Sequence, residues 1–277
     1  MVFSRLPKFP RLSRLSRLSR PGVLIVCAVP VVALFVVVGV APLPYAVAQP
    51  GMTADVLGTN KDRPVITISG APTRKTEGQL RMTTIEATGP STDVDFGDVA
   101  EGWFRADRAV LPREAVYPSG KSDQQVRKHN TQDMIESQNS ATTAALGLLG
   151  EDPARIDVSL HLADVGGPSA GLLFALGIVD KLDGDGAGGD LTGGRTIAGT
   201  GTITDGGEVG PVGGVALKTQ AAGRDGATVF LVPKAECADA QAELPKGMLL
   251  VPVSTLKGAV SSLTALERGR KDQVPSC

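Results

Sequence analysis

Histidine and cysteine are scarce in this 277-residue chain. There are two histidines, His129 and His161, and three cysteines, Cys27, Cys237 and Cys277, with no CxxC pair among them. That set is too small and too scattered for a zinc site, and no cofactor is expected. Acid is missing from the first twenty residues, which carry Arg5, Lys8, Arg11, Arg14, Arg17 and Arg20. With a formal net charge of -1, those six leave -7 on the rest. A nucleic-acid binder keeps its basic residues on the folded domain, so no nucleic-acid partner is expected. The chain as a whole is 42% hydrophobic and 21% charged, a globular balance in a chain long enough for a real core.

Charge is missing again from residues 21 to 54. The apolar run from Val23 to Val40, extended by apolar residues to Ala48, has the length to cross a bilayer as a helix, for which about 20 residues are needed. Under the positive-inside rule the upstream arginines stay cytoplasmic and the rest faces outward. The expected order is therefore a basic cytoplasmic tail over 1–20 and a single-pass transmembrane anchor over 21–48. The rival reading is a cleaved signal peptide, since Ala46-Val47-Ala48 has the form of a cleavage site. Either way the folded part lies outside the cytoplasm, where Cys237 and Cys277 either bridge or stand as two free thiols.

Beyond the apolar run, residues 65–68, 80–85, 156–160 and 228–232 are rich in β-branched residues or alternate like strands. Residues 132–149 have helical spacing and end at Gly150, a suitable C-cap. Residues 172–182 read as a buried helix, and 215–222, 237–244 and 255–266 as further helices. Gly102-Trp103-Phe104 and Arg108 to Leu111 are expected to cover an edge of the core. Interleaved strands and helices predict an α+β domain with mixed sheet pairing. A strand-rich segment over 49–130 is expected to pack on a domain over 131–270.

Gly167-Pro168-Ser169-Ala170-Gly171 fits the nucleophile elbow of α/β-hydrolases. That fold needs a histidine after the serine, and both histidines precede it, so the hydrolase reading fails. Taken alone, the segment is equally a helix start with an early proline. A serine nucleophile needs a neighbouring base. Lys218 stands among Val215, Ala216, Leu217, Ala221 and Ala222, where burial would lower its pKa; by itself it reads as a solvated lysine on an amphipathic helix. Two look-alikes are set aside. Ser254 to Lys257 fits S-x-x-K without its companion motifs, and Ser119-Gly120-Lys121-Ser122 recurs in phosphate loops, but Ala115 stands where glycine is required.

Gly167 to Gly171, then Thr200-Gly201, then Pro211-Val212-Gly213-Gly214-Val215-Ala216-Leu217-Lys218 occur in the order and internal spacing of the proteolytic domain of Lon proteases, which the chain resembles. Phe230 to Lys234 extends the likeness. The resemblance implies a Lon-like proteolytic fold and a serine endopeptidase with Ser169 as nucleophile, Lys218 as general base, Thr200 placing the lysine amine and Gly167 supporting the nucleophile segment. Amides at the helix start would stabilise an oxyanion. It implies a protein or peptide substrate, leaves room for a homo-oligomer, and carries no ATPase module. Leu43 to Tyr45, Arg108 to Pro118 and Asp164 to Leu172 look like the bacterial membrane-anchored, PDZ-containing Lon-like proteases. Residues 150–155 are the whole connection where those relatives hold the PDZ domain, so that domain is missing. Gly166 replaces an acidic residue common in Lon. The competing class is a catalytically silent scaffold that kept the fold.

Overall fold

The computed structural model describes residues 20–117, 122–162 and 165–277. The basic tail up to residue 19, the phosphate-loop look-alike up to Lys121, and Asp164 lie outside them. α1 (Arg20–Val40) is 21 residues long with Pro30 inside it, and Leu24, Ile25, Phe35 and Val40 are exposed on it. The anchor expected over 21–48 is corrected here. The helix stops at Val40, Tyr45–Asp55 is a strand (β1), and among the described residues no helix is long and apolar enough to cross a membrane. Ala46, Val47 and Ala48 are buried in β1. The cleavage-like tripeptide is thus sheet interior in the folded chain, apolar throughout, paired along its length with β6 and joined to β5 at Ala48.

After β1 come a small hairpin, β2 (Thr59–Asn60) and β3 (Arg63–Pro64), then β4 (Ile66–Ser69) and β5 (Gln79–Ala87). α2 (Phe96–Phe104) starts at a capping box in which Asp95 and Asp98 each accept the other's backbone N–H. Trp103 and Phe104, expected to cover the core, are instead 69% and 90% exposed. The helix buries Val99 and Gly102 on its other face. β6 (Ala109–Pro112) and the one-turn α3 (Arg113–Val116) lead to α4 (Asp123–Leu149). α4 begins well before the apolar periodicity because Ser122 and Gln125 form a second capping box ahead of a polar, exposed first half. It ends at Gly150, left-handed at φ 70°, as its sequence requires.

The second half of the chain runs β7 (Asp157–Leu160), α5 (Gly171–Leu182), β8 (Thr196–Gly199), β9 (Thr202–Ile203), β10 (Val209–Gly210), α6 (Val215–Arg224), β11 (Val229–Pro233), α7 (Cys237–Ala242), β12 (Leu249–Val253) and α8 (Leu256–Glu267). The main sheet has the order β12-β11-β8-β5-β1-β6. β12, β11, β8 and β5 are parallel neighbours, while β1 is antiparallel to β5 and to β6. This is the mixed α and β architecture that the interleaved pattern implies. The sheet draws strands from both 49–130 and 131–270, and α4 runs through residue 130.

β11 shows how the layers are built. Successive side chains on a strand face opposite ways. Val229 and Leu231 join the core under α5, while Phe230 and Val232 join Val215, Ala222 and Leu250 under α6. Both faces are covered, so the strand reads as an unbroken apolar run. Each such fully buried side chain contributes about 1.5–3 kcal/mol. α5 is buried from Gly171 to Asp180 and lies against α4 and α8. Its N-terminus is thereby held at one end of the parallel strands.

Candidate active site

The geometry begins with two glycines. Gly167 has φ 89°, a left-handed conformation that a side chain disfavours. The turn it makes sends the chain into a single 3-10 turn, Pro168–Ala170, which runs directly into α5. Gly166 lies against α4. A Cβ there would stand 2.8 Å from Asn130 Cβ, and the next amide, Gly167 N–H, donates to the Asn130 carbonyl at 2.8 Å. The absence of the acidic residue common in Lon therefore has a steric counterpart in the close passage of α4. Ser137, on the same helix, donates through Oγ to the Pro168 carbonyl at 2.9 Å.

Ser169 is half-buried at the middle of the 3-10 turn. Its carbonyl accepts from Gly201 N–H at 3.0 Å and from Thr200 Oγ1 at 3.3 Å. Thr200 is fully buried, and its own N–H donates to the Leu231 carbonyl, which fixes it to β11. Lys218, on the first turns of α6, is 3% exposed, and its Nζ donates to Thr200 Oγ1 at 3.1 Å. A chain of hydrogen bonds thus runs from Lys218 through Thr200 to the backbone of Ser169. Among the described residues no hydrogen bond joins Lys218 Nζ directly to the Ser169 side chain.

Burial pushes the Lys218 amine down to about 8, because the low-dielectric interior disfavours its charged form. The opposing influence is Glu236, whose carboxylate favours the ammonium. Burial raises the Glu236 carboxyl in turn, offset by the Val212 N–H it accepts at 2.9 Å and by Lys218. Its second oxygen is buried with no partner. Sequence reasoning missed Glu236 and Ser137; neither belongs to a recognisable pattern. His129 and His161 are both exposed and stand outside this chain of bonds. Among the described residues no group of acids, histidines and cysteines is placed to hold a metal ion. Cys237 and Cys277 form a disulfide, which closes the alternative of two free thiols.

Residues 103–262 match the family model described as the Lon protease (S16) C-terminal proteolytic domain. Lon protease 2 of Herpetosiphon aurantiacus is 30% identical over 170 residues, which are 57% of this chain and 20% of that protein. Lon protease of Chloroflexus aggregans is 29% identical over 184 residues, 61% of this chain and 22% of that protein. The chain therefore spans about a fifth of the length of these curated relatives. The matched span holds Ser169, Thr200 and Lys218 together.

Proposed function

The chain belongs to the family of Lon protease C-terminal proteolytic domains, and on that footing we propose that it is a serine endopeptidase working with a Ser169–Lys218 dyad. The observation that carries this reading is the hydrogen-bonded chain Lys218–Thr200–Ser169 around a buried amine pushed down to about 8. A lysine that is neutral near working pH can accept a proton; a solvated one cannot. Ser169 Oγ attacks the scissile carbonyl as Lys218 Nζ takes its proton. The proton passes to the leaving amine, and an acyl-serine forms. Water then attacks the acyl carbon, gives its proton through Lys218 back to Ser169 Oγ, and the acid product leaves. Thr200 holds the amine in place, and Gly167 sets the turn. Oxyanion stabilisation is assigned to the backbone amide of Ser169, since Pro168 has no N–H and the Gly171 and Leu172 amides donate to the Pro168 and Gly201 carbonyls, with the α5 dipole behind it.

The substrate is a protein or peptide bound with its backbone extended, and no ATPase module is part of the reading. The domain works outside the cytoplasm, a compartment supported by the Cys237–Cys277 bridge. The exposed apolar surface of α1 attaches it to a membrane. The deciding experiment is turnover of an unfolded protein by the full chain beside Ser169→Ala, with a peptide boronate or fluorophosphonate as active-site label. Loss of both turnover and label in Ser169→Ala supports the dyad. Equal turnover by the two proteins would leave the scaffold class in its place. Protease accessibility of the domain on intact cells tests the location.

A further inference from the structure

The nucleophile segment runs between two surface depressions. One, of about 440 Å³, is bounded by Gly166 and Val165 on the segment and by Met52, Ile85 and Glu86 across from them. The other, of about 260 Å³, is bounded by Pro168 and by Asp133, Glu136 and Ser137 of α4. Neither contains a lysine or arginine. Their three carboxylates come from separate places, Glu86 from the end of β5 and Asp133 and Glu136 from α4.

Among the described residues none of the three is neutralised by a cationic partner of fixed charge. Glu86 accepts from the Gln49 amide, Glu136 accepts from the Gln132 amide, and Asp133 faces His129 Nδ1 at 3.5 Å. A larger hollow of about 550 Å³ carries Lys61 and Arg63 on the β2–β3 side of α4 and borders the segment at Val165 but not at Gly166 or Pro168. The carboxylates therefore line the depressions on both sides of the nucleophile segment, while Lys61 and Arg63 meet that segment only at Val165 and Arg108 shares a separate hollow with Glu86.

We infer that this cleft selects extended polypeptide segments carrying lysine or arginine on both sides of the scissile bond. Apolar Met52, Ile85 and Val165 take an aliphatic side chain next to that bond, while Glu86 on one side and Asp133 with Glu136 on the other receive the cations. The inference rests on the Ser169 peptidase reading and goes beyond it by naming the substrate. Exposed charge pairs are individually weak, but three acting on one peptide add up, and they fade as salt screens them.

The test uses the full chain and two quenched fluorogenic peptide series with the same central leucine, one flanked by lysines and the other by glutamates. At low ionic strength the lysine series is expected to have kcat/KM about tenfold or more above the glutamate series, narrowing at about 0.5 M salt. Combined Glu86→Lys, Asp133→Lys and Glu136→Lys reverses the order. Glu86→Gln, which keeps size and shape, narrows it if the triple variant folds poorly. Equal rates on the two series, or an unchanged order in the variants, overturns the inference while leaving the peptidase reading intact. Failure to cut either series, together with no boronate labelling of Ser169, removes both.

Discussion

Lys218 Nζ donates to Thr200 Oγ1 at 3.1 Å, and Thr200 is the residue that connects the lysine to the nucleophile segment. Thr200→Val removes the acceptor and leaves a buried amine unpartnered, while Thr200→Ser keeps the hydroxyl. Expected outcomes are a fall in kcat of about 10–100-fold for the valine variant and near-recovery for serine. Equal activity of the valine variant and wild type would remove Thr200 from the mechanism.

The Lys218 amine, lowered to about 8, becomes mostly neutral, and so able to act as a base, as pH rises through that value. Activity is expected to climb between pH 7 and about 8.5 and then level off, later than a histidine base near 6.5 would allow. Lys218→Arg is expected to be inactive, since a guanidinium holds its proton throughout this range. His129→Ala and His161→Ala stay active. The measurement is kcat/KM against pH for these proteins, and a profile flat from pH 6.5 would assign the base elsewhere.

Asp180 is fully buried in α5. One oxygen accepts Leu191 N–H at 2.8 Å and the other has no partner. Burial pushes its carboxyl up from 3.8 to about 6. Between those values the folded state binds more protons than the unfolded state, so stability falls as pH rises through this window. Asp180→Asn keeps an acceptor for Leu191 and cannot ionise. It is expected to be more stable than wild type at pH 7.5 by about 1–3 kcal/mol, with the gain vanishing near pH 4. Chemical denaturation at the two pH values checks this; a less stable variant at pH 7.5 would contradict it.

Gly166→Asp restores the residue type common in Lon, but its Cβ would meet Asn130 Cβ at 2.8 Å. The expected cost is about 1–3 kcal/mol of stability, as for other overpacked sites, and a loss of turnover as α4 shifts. Gly166→Asp combined with Asn130→Gly is expected to recover part of both. A thermal melt and a turnover assay on the two proteins decide it.

The disulfide joins residues 40 apart and ties the C-terminus to the start of α7, next to Glu236. Cys277→Ser is expected to lower stability by about 2–4 kcal/mol through the freed chain. A denaturant midpoint indistinguishable from that of wild type would show that the bridge adds nothing to the folded state.

Much of the fold is legible along the chain. Gly150, the Thr228–Val232 run, the apolar stretch after Ser169 and the helix after Gly214 appear in the structure near their expected bounds, because capping and side-chain period act over a few residues. α4 began earlier than its periodicity suggested, since its first half buries little and is started by caps. Trp103 and Phe104 were misjudged because an aromatic pair looks the same in sequence on the inner or outer face of a short helix.

The resemblance of their segments to Lon proteolytic domains singled out Ser169, Thr200 and Lys218; taken alone, Ser169 read as a helix start and Lys218 as a solvated lysine. Their approach to one another, the depressed pKa of Lys218, the influence of Glu236, the close passage of Asn130 by Gly166 and the burial of Ala46 to Ala48 in a sheet came only with the tertiary structure. Each depends on which distant segments pack together. That is decided by the burial of both faces of the sheet rather than by any residue's neighbours in sequence.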